Sequence, residues 1–187
     1  MSDFTAIAGV TSTLRALIEQ QVPSIAVDEL HAPDEIGNPN APLIAIYLYR
    51  VESHPFSANL DWRASGASQI TQPPFGLILH YLLTPYGPNQ LEVQRTLGEL
   101  MRCFNEVPVL RDGDPLLAPA LVGMTEELRI MPRTLALSDM LDLWGAFDDT
   151  PYRLSATYEV SAVLIDRRGT RSVQRVQERV LDVGALR

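Results

Sequence analysis

Two long segments of branched and aromatic residues limit most strongly what this chain can fold into. Residues 43–53, LIAIYLYRVES, and residues 75–87, FGLILHYLLTPYG, are rich in the residue types that favour β-strands. The first segment is apolar on both faces until Arg50, as expected of a central strand that is covered on both sides. Such strands predict a sheet with helices packed on it.

Apolar residues at helical spacing predict three helices. The first has Ser2 as its N-cap and ends at Pro23, because proline cannot continue a helix. The second begins at a capping box formed by Asn89 and Glu92, and the third begins at Ser138. The residues predicted to face the core are Ile7, Val10, Leu14, Leu17 and Ile18 in the first helix, Val93, Leu97, Leu100, Met101 and Phe104 in the second, and Leu141, Trp144 and Phe147 in the third.

Three further segments are predicted to be strands, and one is predicted to be a long loop. Residues 24–30 form a short strand, and residues 125–131 form a strand near a sheet edge, because Pro132 follows. Residues 152–165 alternate, with the apolar even-numbered residues facing the core. Residues 54–74 have no periodicity, and loops of that length are usually functional or disordered.

The predicted order of elements is therefore α-β-β-β-α-β-α-β. It lacks the strict βαβ alternation of a doubly wound sheet, so we expect an α+β fold with a mixed, largely antiparallel sheet flanked by helices. A chain of 187 residues suits one domain with a sizeable core. We assign residues 1–166 to that domain and residues 167–187 to an arginine-rich C-terminal arm or an extra strand.

Charge is distributed unevenly along the chain, and lysine is absent. Residues 1–166 carry a net charge of −12, whereas residues 167–187 carry +4. An acidic body argues against a nucleic-acid partner, and a basic arm on it suggests docking onto an acidic surface, including that of a second copy. No apolar run reaches the roughly 18 residues of a membrane span, and the N-terminus does not resemble a signal peptide. We therefore expect folding in the cytoplasm without a membrane partner.

Candidate catalytic and metal-binding residues are scattered. His31, His54 and His80 lie far apart, and the paired carboxylates lie in loops or on opposite strand faces. No nucleophile elbow, phosphate-binding loop or dinucleotide-binding motif is present. Cys103 is the only cysteine and is predicted to be a core thiol. No catalytic, cofactor or metal site is predicted from these residues.

Four segments carry residue combinations that are more specific than their secondary structure requires. They are residues 1–18, 48–63, 73–110 and 137–166. The most specific combinations are LHYLLTPYG before EVQRTLG in the third segment, and LW followed by TPYRLSATYEVSAVLID in the fourth. Together they resemble the N-terminal domain of the cap protein of phage-tail-like contractile injection systems, which is similar to the tail terminators of contractile phages.

The resemblance implies a structural protein and not an enzyme. It implies a ring, of six copies in that family, that binds the last rings of the inner tube and the sheath distal to the baseplate. The ring would stop polymerisation and anchor the sheath, in a particle that assembles in the cytoplasm and can be released. The alternatives are a small hydrolase-like enzyme using His80, or a regulatory module that binds a small ligand. The interface candidates are Trp62, Arg63, Tyr86, Arg167, Arg168, Arg171, Arg175 and Arg179.

Overall fold

The computed structural model describes residues 4–55, 61–64, 68–147, 150–167 and 169–173. Its helices are α1 (Ala6–Gln21), α2 (Gln90–Glu106) and α3 (Leu137–Trp144), with a short 3-10 helix at Pro119–Leu121. Its strands are β1 (Ala26–Asp28), β2 (Leu43–Ser53), β3 (Arg63–Ala64), β4 (Gln69–Thr71), β5 (Phe75–Tyr86), β6 (Val109–Leu110), β7 (Leu128–Arg133), β8 (Ala156–Ile165) and β9 (Thr170–Ser172).

Six strands form the main sheet, in the order β1-β2-β5-β8-β7-β6. β1 runs parallel to β2, and every other neighbouring pair in this sheet is antiparallel. The predicted α+β fold with a mixed, largely antiparallel sheet is therefore confirmed. The two long segments that were predicted to be strands lie side by side near the middle of the sheet as β2 and β5.

The larger core lies between one face of this sheet and the helices α1 and α2. Leu79, Tyr81 and Leu83 of β5 face that core, together with Ile44 and Ile46 of β2. The 3-10 helix closes the core over α1. A Cβ at Gly9 would lie 3.1 Å from Ala120 Cβ, so a residue without a side chain allows this close approach.

The other face of the sheet is covered over one half by α3. Leu82 of β5 packs there with Met140, Trp144 and Phe147 in a separate small core. The Phe147 ring meets the rings of Trp144 and Tyr47 edge-on, with centroids 5.6 and 5.4 Å apart. Helices therefore cover both faces of β5, as its continuous apolar sequence requires.

The predicted helix boundaries needed correction at two N-termini. α1 begins at Ala6 with Thr5 at the N-cap, and the predicted cap Ser2 lies outside the described residues. α3 begins at Leu137, so Ser138 lies within its first turn. Asn89 is confirmed as the cap of α2, where its side chain accepts hydrogen bonds from the backbone N–H groups of Leu91 and Glu92.

Two predicted core residues on the helices face solvent instead. Met101 of α2 and Leu141 of α3 are exposed, whereas Cys103 and Met140 are buried. The buried face of each of these two helices is therefore rotated slightly from the face predicted from sequence. The prediction that Cys103 is a core thiol is confirmed, and burial raises the pKa of this thiol to about 11.

The last long strand differs most from its predicted alternation. β8 begins at Ala156, so Tyr152 and Leu154, which were predicted to face the core, lie before it and are exposed. Val160 pairs with Leu79 and Val163 pairs with Leu77, which leaves two residues of β8 opposite one residue of β5. This bulge changes the face of the strand, and Val163 enters the core at an odd-numbered position.

Pro132 limits pairing at one edge of the main sheet, as predicted. β6 covers only the first residues of β7, where Leu110 pairs with Leu128. Ile130 N–H points away from β8 and donates to Pro108 O at 2.8 Å. The next residue of β7 that faces away from β8 in this way is Pro132, which has no N–H to offer another strand.

Candidate functional site

A small second sheet brings together several of the predicted interface residues. It consists of β3, β4 and β9 in that order, and we call it the arm sheet. Residues 54–74 were predicted to be a loop, and this was wrong for the part that forms β3 and β4. These strands have only two and three residues, and Ile70 and Thr71 are their only β-branched residues, so their own sequence carries little strand signal.

The arm sheet continues the ladder formed by β5 and β8. Phe75 pairs with Ile165 at the end of that ladder, and Thr71 then pairs with Thr170. Between them, Gln72 N–H donates to Gly169 O at 2.9 Å. A Cβ at residue 169 would lie 2.7 Å from Oε1 of Gln72, so a larger residue there would require this flexible side chain to move.

The side chains of the arm sheet make it a basic surface. β3, β4 and β9 contain Arg63 and Arg171 and no acidic residue. Ile70 pairs with both Ala64 and Arg171, whereas Arg63 pairs with Thr71, so the two arginines project from opposite faces. Trp62 precedes β3 and is 44% exposed. The sheet thus offers a cation on each face and an exposed indole at one side.

Of two other interface candidates, Arg167 is exposed and Tyr86 is buried. The Arg167 guanidinium lies 5.5 Å from the centre of the Phe75 ring, at the base of the arm sheet. Tyr86 is 1% exposed, so its side chain is not available to a partner, contrary to the prediction. Its hydroxyl donates to Pro33 O at 3.3 Å, and Arg153 covers its ring at 4.9 Å. The candidates Arg168, Arg175 and Arg179 lie outside the described residues.

His80 is the buried member of a row of partly exposed charged groups that crosses the sheet. Its side chain is 0% exposed, and Arg133 Nη1 lies 3.3 Å from its Nδ1. Arg133 also donates to Glu159 Oε2 at 3.2 Å. A guanidinium can only donate, so neutral His80 carries its proton on Nε2. That nitrogen lies 3.6 Å from Glu52 Oε2 and has no hydrogen-bond partner among the described residues.

This arrangement does not support the hydrolase-like alternative. A catalytic histidine must reach both a nucleophile and a substrate, and His80 is fully enclosed. Its described polar neighbours are Glu52, Arg133 and Glu159, none of which is a nucleophile held by a base. The row instead links partly exposed charges on β2, β8 and β7 across His80 of β5, through the ion pair of Arg133 with Glu159 and the contacts of His80.

The surroundings of His80 lead us to predict that the stability of the fold depends measurably on pH. Burial and the charge of Arg133 lower the pKa of His80, against the opposing effect of Glu52 and Glu159. Below about pH 6.5 the unfolded chain therefore binds more protons than the folded chain, and the free energy of unfolding falls as the pH drops. We expect His80→Gln to reduce this fall, measured by urea unfolding at about pH 7.5 and about pH 5.5.

A matched control for this prediction is His31→Gln. The pKa of exposed His31 is raised by Asp28, whose carboxylate lies 2.9 Å from its Nδ1. His31 therefore stabilises the fold below about pH 6.5 and loses this effect as the pH rises through its folded pKa. Its removal should steepen the fall in stability on acidification. Equal slopes for the wild type and His80→Gln would contradict the assignment.

Metal-binding and membrane-spanning features are not found in the described part of the chain. No group of three or more histidine, cysteine or acidic side chains there could hold a metal ion. None of the helices that the structure describes is both long and apolar enough to cross a bilayer.

A second candidate surface is an apolar groove beside α3, which sequence reasoning missed. It has a volume of about 450 Å³. We call it the α3 groove, and its lining residues are Leu141, Trp144, Gly145, Phe147, Thr150, Pro151 and Tyr152. Trp144 and Tyr152 meet edge-on with ring centroids 6.0 Å apart. The four-residue spacing of Leu137 and Leu141 is a helical stripe that could have indicated a second apolar face on this helix.

Comparisons with known proteins agree on one family. The model of the Pvc16 N-terminal domain family matches residues 9–179. The fold is similar to the sheath/tube terminator of an extracellular contractile injection system, PVC, in its extended state, at 14% identity and a TM-score of 0.68. It is also similar to the tube terminating cap of the anti-feeding prophage, at 16% identity and a TM-score of 0.66.

Each comparison covers a larger share of this chain than of the solved structure. The comparison with the PVC terminator covers 100% of this chain and 66% of that chain. The comparison with the anti-feeding prophage cap covers 93% of this chain and 60% of that chain. The chain thus spans less than two thirds of the length of either structure. No curated protein matches the sequence significantly.

Proposed function

The chain belongs to the Pvc16 N-terminal domain family, and we propose that it is the structural cap that ends the inner tube and sheath of a contractile injection system. The observation that carries this proposal is the match of the whole chain to the fold of a sheath/tube terminator. The proposed role is non-enzymatic. The enclosed position of His80 is consistent with a part that works by fitting its neighbours.

The proposed assembly is a ring of identical copies, six in number, seated on the last ring of the tube. A closed ring needs a heterologous contact, in which two different surfaces of the chain meet. The uneven charge of the chain supports such a contact, since an acidic body and a basic segment attract each other between copies. In this proposal the ring assembles in the cytoplasm, and the particle that carries it can be released.

The arm sheet is the proposed contact with the tube or the sheath. Its exposed cations Arg63 and Arg171 and the exposed ring of Trp62 are residue types suited to an interface. Among the described residues, β9 pairs on one side only, so its other edge can accept a strand from a partner. Arg167 and Arg168 extend the same basic surface in this proposal.

The proposed function is tested by assembling particles in a host that carries the tube, sheath and baseplate genes with and without this chain. With the chain present, electron microscopy should show tubes of one narrow length. Without it, we expect tubes of broadly variable length, because nothing stops the addition of rings. Equal length distributions in the two preparations would exclude a terminating role.

The arm sheet provides a more specific prediction. Replacing Arg63 and Arg171 together by glutamate should leave the free energy of unfolding within about 0.5 kcal/mol, because exposed substitutions usually have small effects. The same variant should fail to control tube length, since both faces of the arm sheet would become acidic. The control is Arg95→Glu on α2, whose arginine is also exposed. Loss of length control by both variants would show that total charge, and not the arm sheet, is responsible.

A further inference from the structure

Two complementary features lie at opposite ends of the ladder formed by β5 and β8. The α3 groove adjoins the end where β5 finishes at Tyr86 and β8 begins at Ala156. The arm sheet, from which residue 173 leads into the arginine-rich segment, continues the other end. The 12 residues of β5 separate these ends by roughly 35–40 Å, at about 3.3 Å per residue.

The α3 groove has the properties of an unfilled contact. Among the described residues that line it, none has a charged side chain. Leu137 and Leu141 extend its apolar surface along the outer side of α3 and are 67% and 46% exposed. Trp144 Nε1 is buried and has no hydrogen-bond partner among the described residues, so it can donate to an incoming carbonyl group.

The exposed part of α3 next to the groove residue Leu141 is acidic. Asp139 and Asp142 are exposed on α3, and the helix contains no basic residue. An occupant that presents apolar side chains to the groove and cations to this part of α3 would therefore be favoured over an acidic one.

The sequence after β9 has this composition. Valines occur at positions 173, 176, 180 and 183, at intervals of three and four residues. Arginines occur at positions 171, 175 and 179, at intervals of four residues. Such spacings place valines on one side and arginines beside them when a segment docks as a helix.

We propose that residues 174–183 of one copy dock as a helix into the α3 groove of the next copy, with Val176, Val180 and Val183 in the groove and an arginine at Asp142. This inference rests on the proposed ring and identifies its head-to-tail contact. Because the donating and accepting features lie at opposite ends of the chain, each copy can receive one neighbour and reach another, as a closed ring requires.

The distances favour a neighbouring copy over the chain's own groove. From residue 173, Val183 can reach about 36 Å only if the intervening chain is fully extended, at up to about 3.6 Å per residue. Docked as a helix, the same stretch spans only about 15 Å, at about 1.5 Å per residue, which falls short of the length of the β5–β8 ladder. A helical segment of the same chain therefore cannot place these valines in its own groove.

Cysteine cross-linking tests this contact directly, because Cys103 is the only native cysteine and is buried. One preparation of the full chain carries Leu141→Cys, and the other carries Val180→Cys. After mixing and mild oxidation, only a contact between different copies can produce the mixed dimer. The control pairs Val180→Cys with Val122→Cys, since Val122 is exposed and lies outside the groove.

We expect the mixed dimer in at least about tenfold higher yield with Leu141→Cys than with Val122→Cys, as for a specific contact with charge complementarity. Asp142→Arg on the groove chain should lower that yield, and Arg179→Glu on the other chain should restore it. Equal yields with both cysteine positions, or no effect of the charge reversals, would overturn the inference. If tube length is still controlled in that case, the proposed cap function survives and only this contact is excluded.

Discussion

Leu79→Ala is expected to reduce the free energy of unfolding by about 2–5 kcal/mol, the range for removing a buried leucine side chain. Leu79 lies in the middle of β5, the strand that both long neighbours contact, and its side chain is 0% exposed. It faces the core under α1 and α2. The surrounding side chains are held on the sheet and on the helices, so they cannot all move into the cavity that the substitution would leave. Urea unfolding followed by circular dichroism measures the change.

Val51→Ala is the matched control for this change. Val51 lies directly across the ladder from Leu79, in the same register, but its side chain is 45% exposed. We expect a loss of under about 1 kcal/mol, mainly from lower strand preference. If the two substitutions destabilise the chain equally, the described packing of β5 against the helices is wrong.

Trp144→Ala is expected to cost about 3–5 kcal/mol, as for other buried aromatic residues. Trp144 joins α3 to Leu82 of β5 and supports the rings of Phe147 and Tyr152. A helix of only eight residues is not stable without such contacts. Loss of the indole should therefore release α3 from the sheet, and hydrogen exchange should increase across α3 and at Leu82.

Leu137→Ala changes the exposed side of the same helix and serves as the control. We expect its free energy of unfolding to remain within about 0.5 kcal/mol of the wild type, because the removed side chain is mostly in solvent. Amide protection in α3 should also be unchanged. Fast exchange in α3 already in the wild type would contradict the role assigned to Trp144.

The elements predicted well from sequence are those whose signals are local. β2 has the predicted bounds, because eleven branched, aromatic and polar residues carry their own strand preference. Asn89 was identifiable as a cap because its side chain bonds backbone groups only two and three residues away. The position of β7 near the edge of the sheet, with only the short β6 beyond it, followed from the chemistry of Pro132 alone.

The features that were missed depend on contacts between distant residues. The bulge in β8 depends on how Val160 and Val163 align with β5, which the alternation within β8 cannot reveal. β4 forms where it does because β9, about 100 residues later, supplies its partner. Tyr86 was taken for an interface residue beside a turn, but Pro33 and Arg153 cover it from elsewhere in the chain.

Of the candidate site, sequence indicated residue types but not their arrangement. Trp62, Arg63, Arg167 and Arg171 were separate suggestions from a loop and a charged segment, and pairing of β4 with β3 and β9 places them in one structure. The α3 groove was not predicted, since Leu141 and Tyr152 were assigned to the core. An apolar residue that faces a partner has the same sequence signal as one that faces the interior.

The most direct test of the proposed cap is to locate the chain in intact particles by electron microscopy. The particles would be purified from cells that express the chain with its tube, sheath and baseplate partners. The proposal predicts density with this α+β fold as a single ring at one end of the tube, in contact with the last tube and sheath rings. Density distributed along the tube, or particles that end normally without the chain, would contradict it.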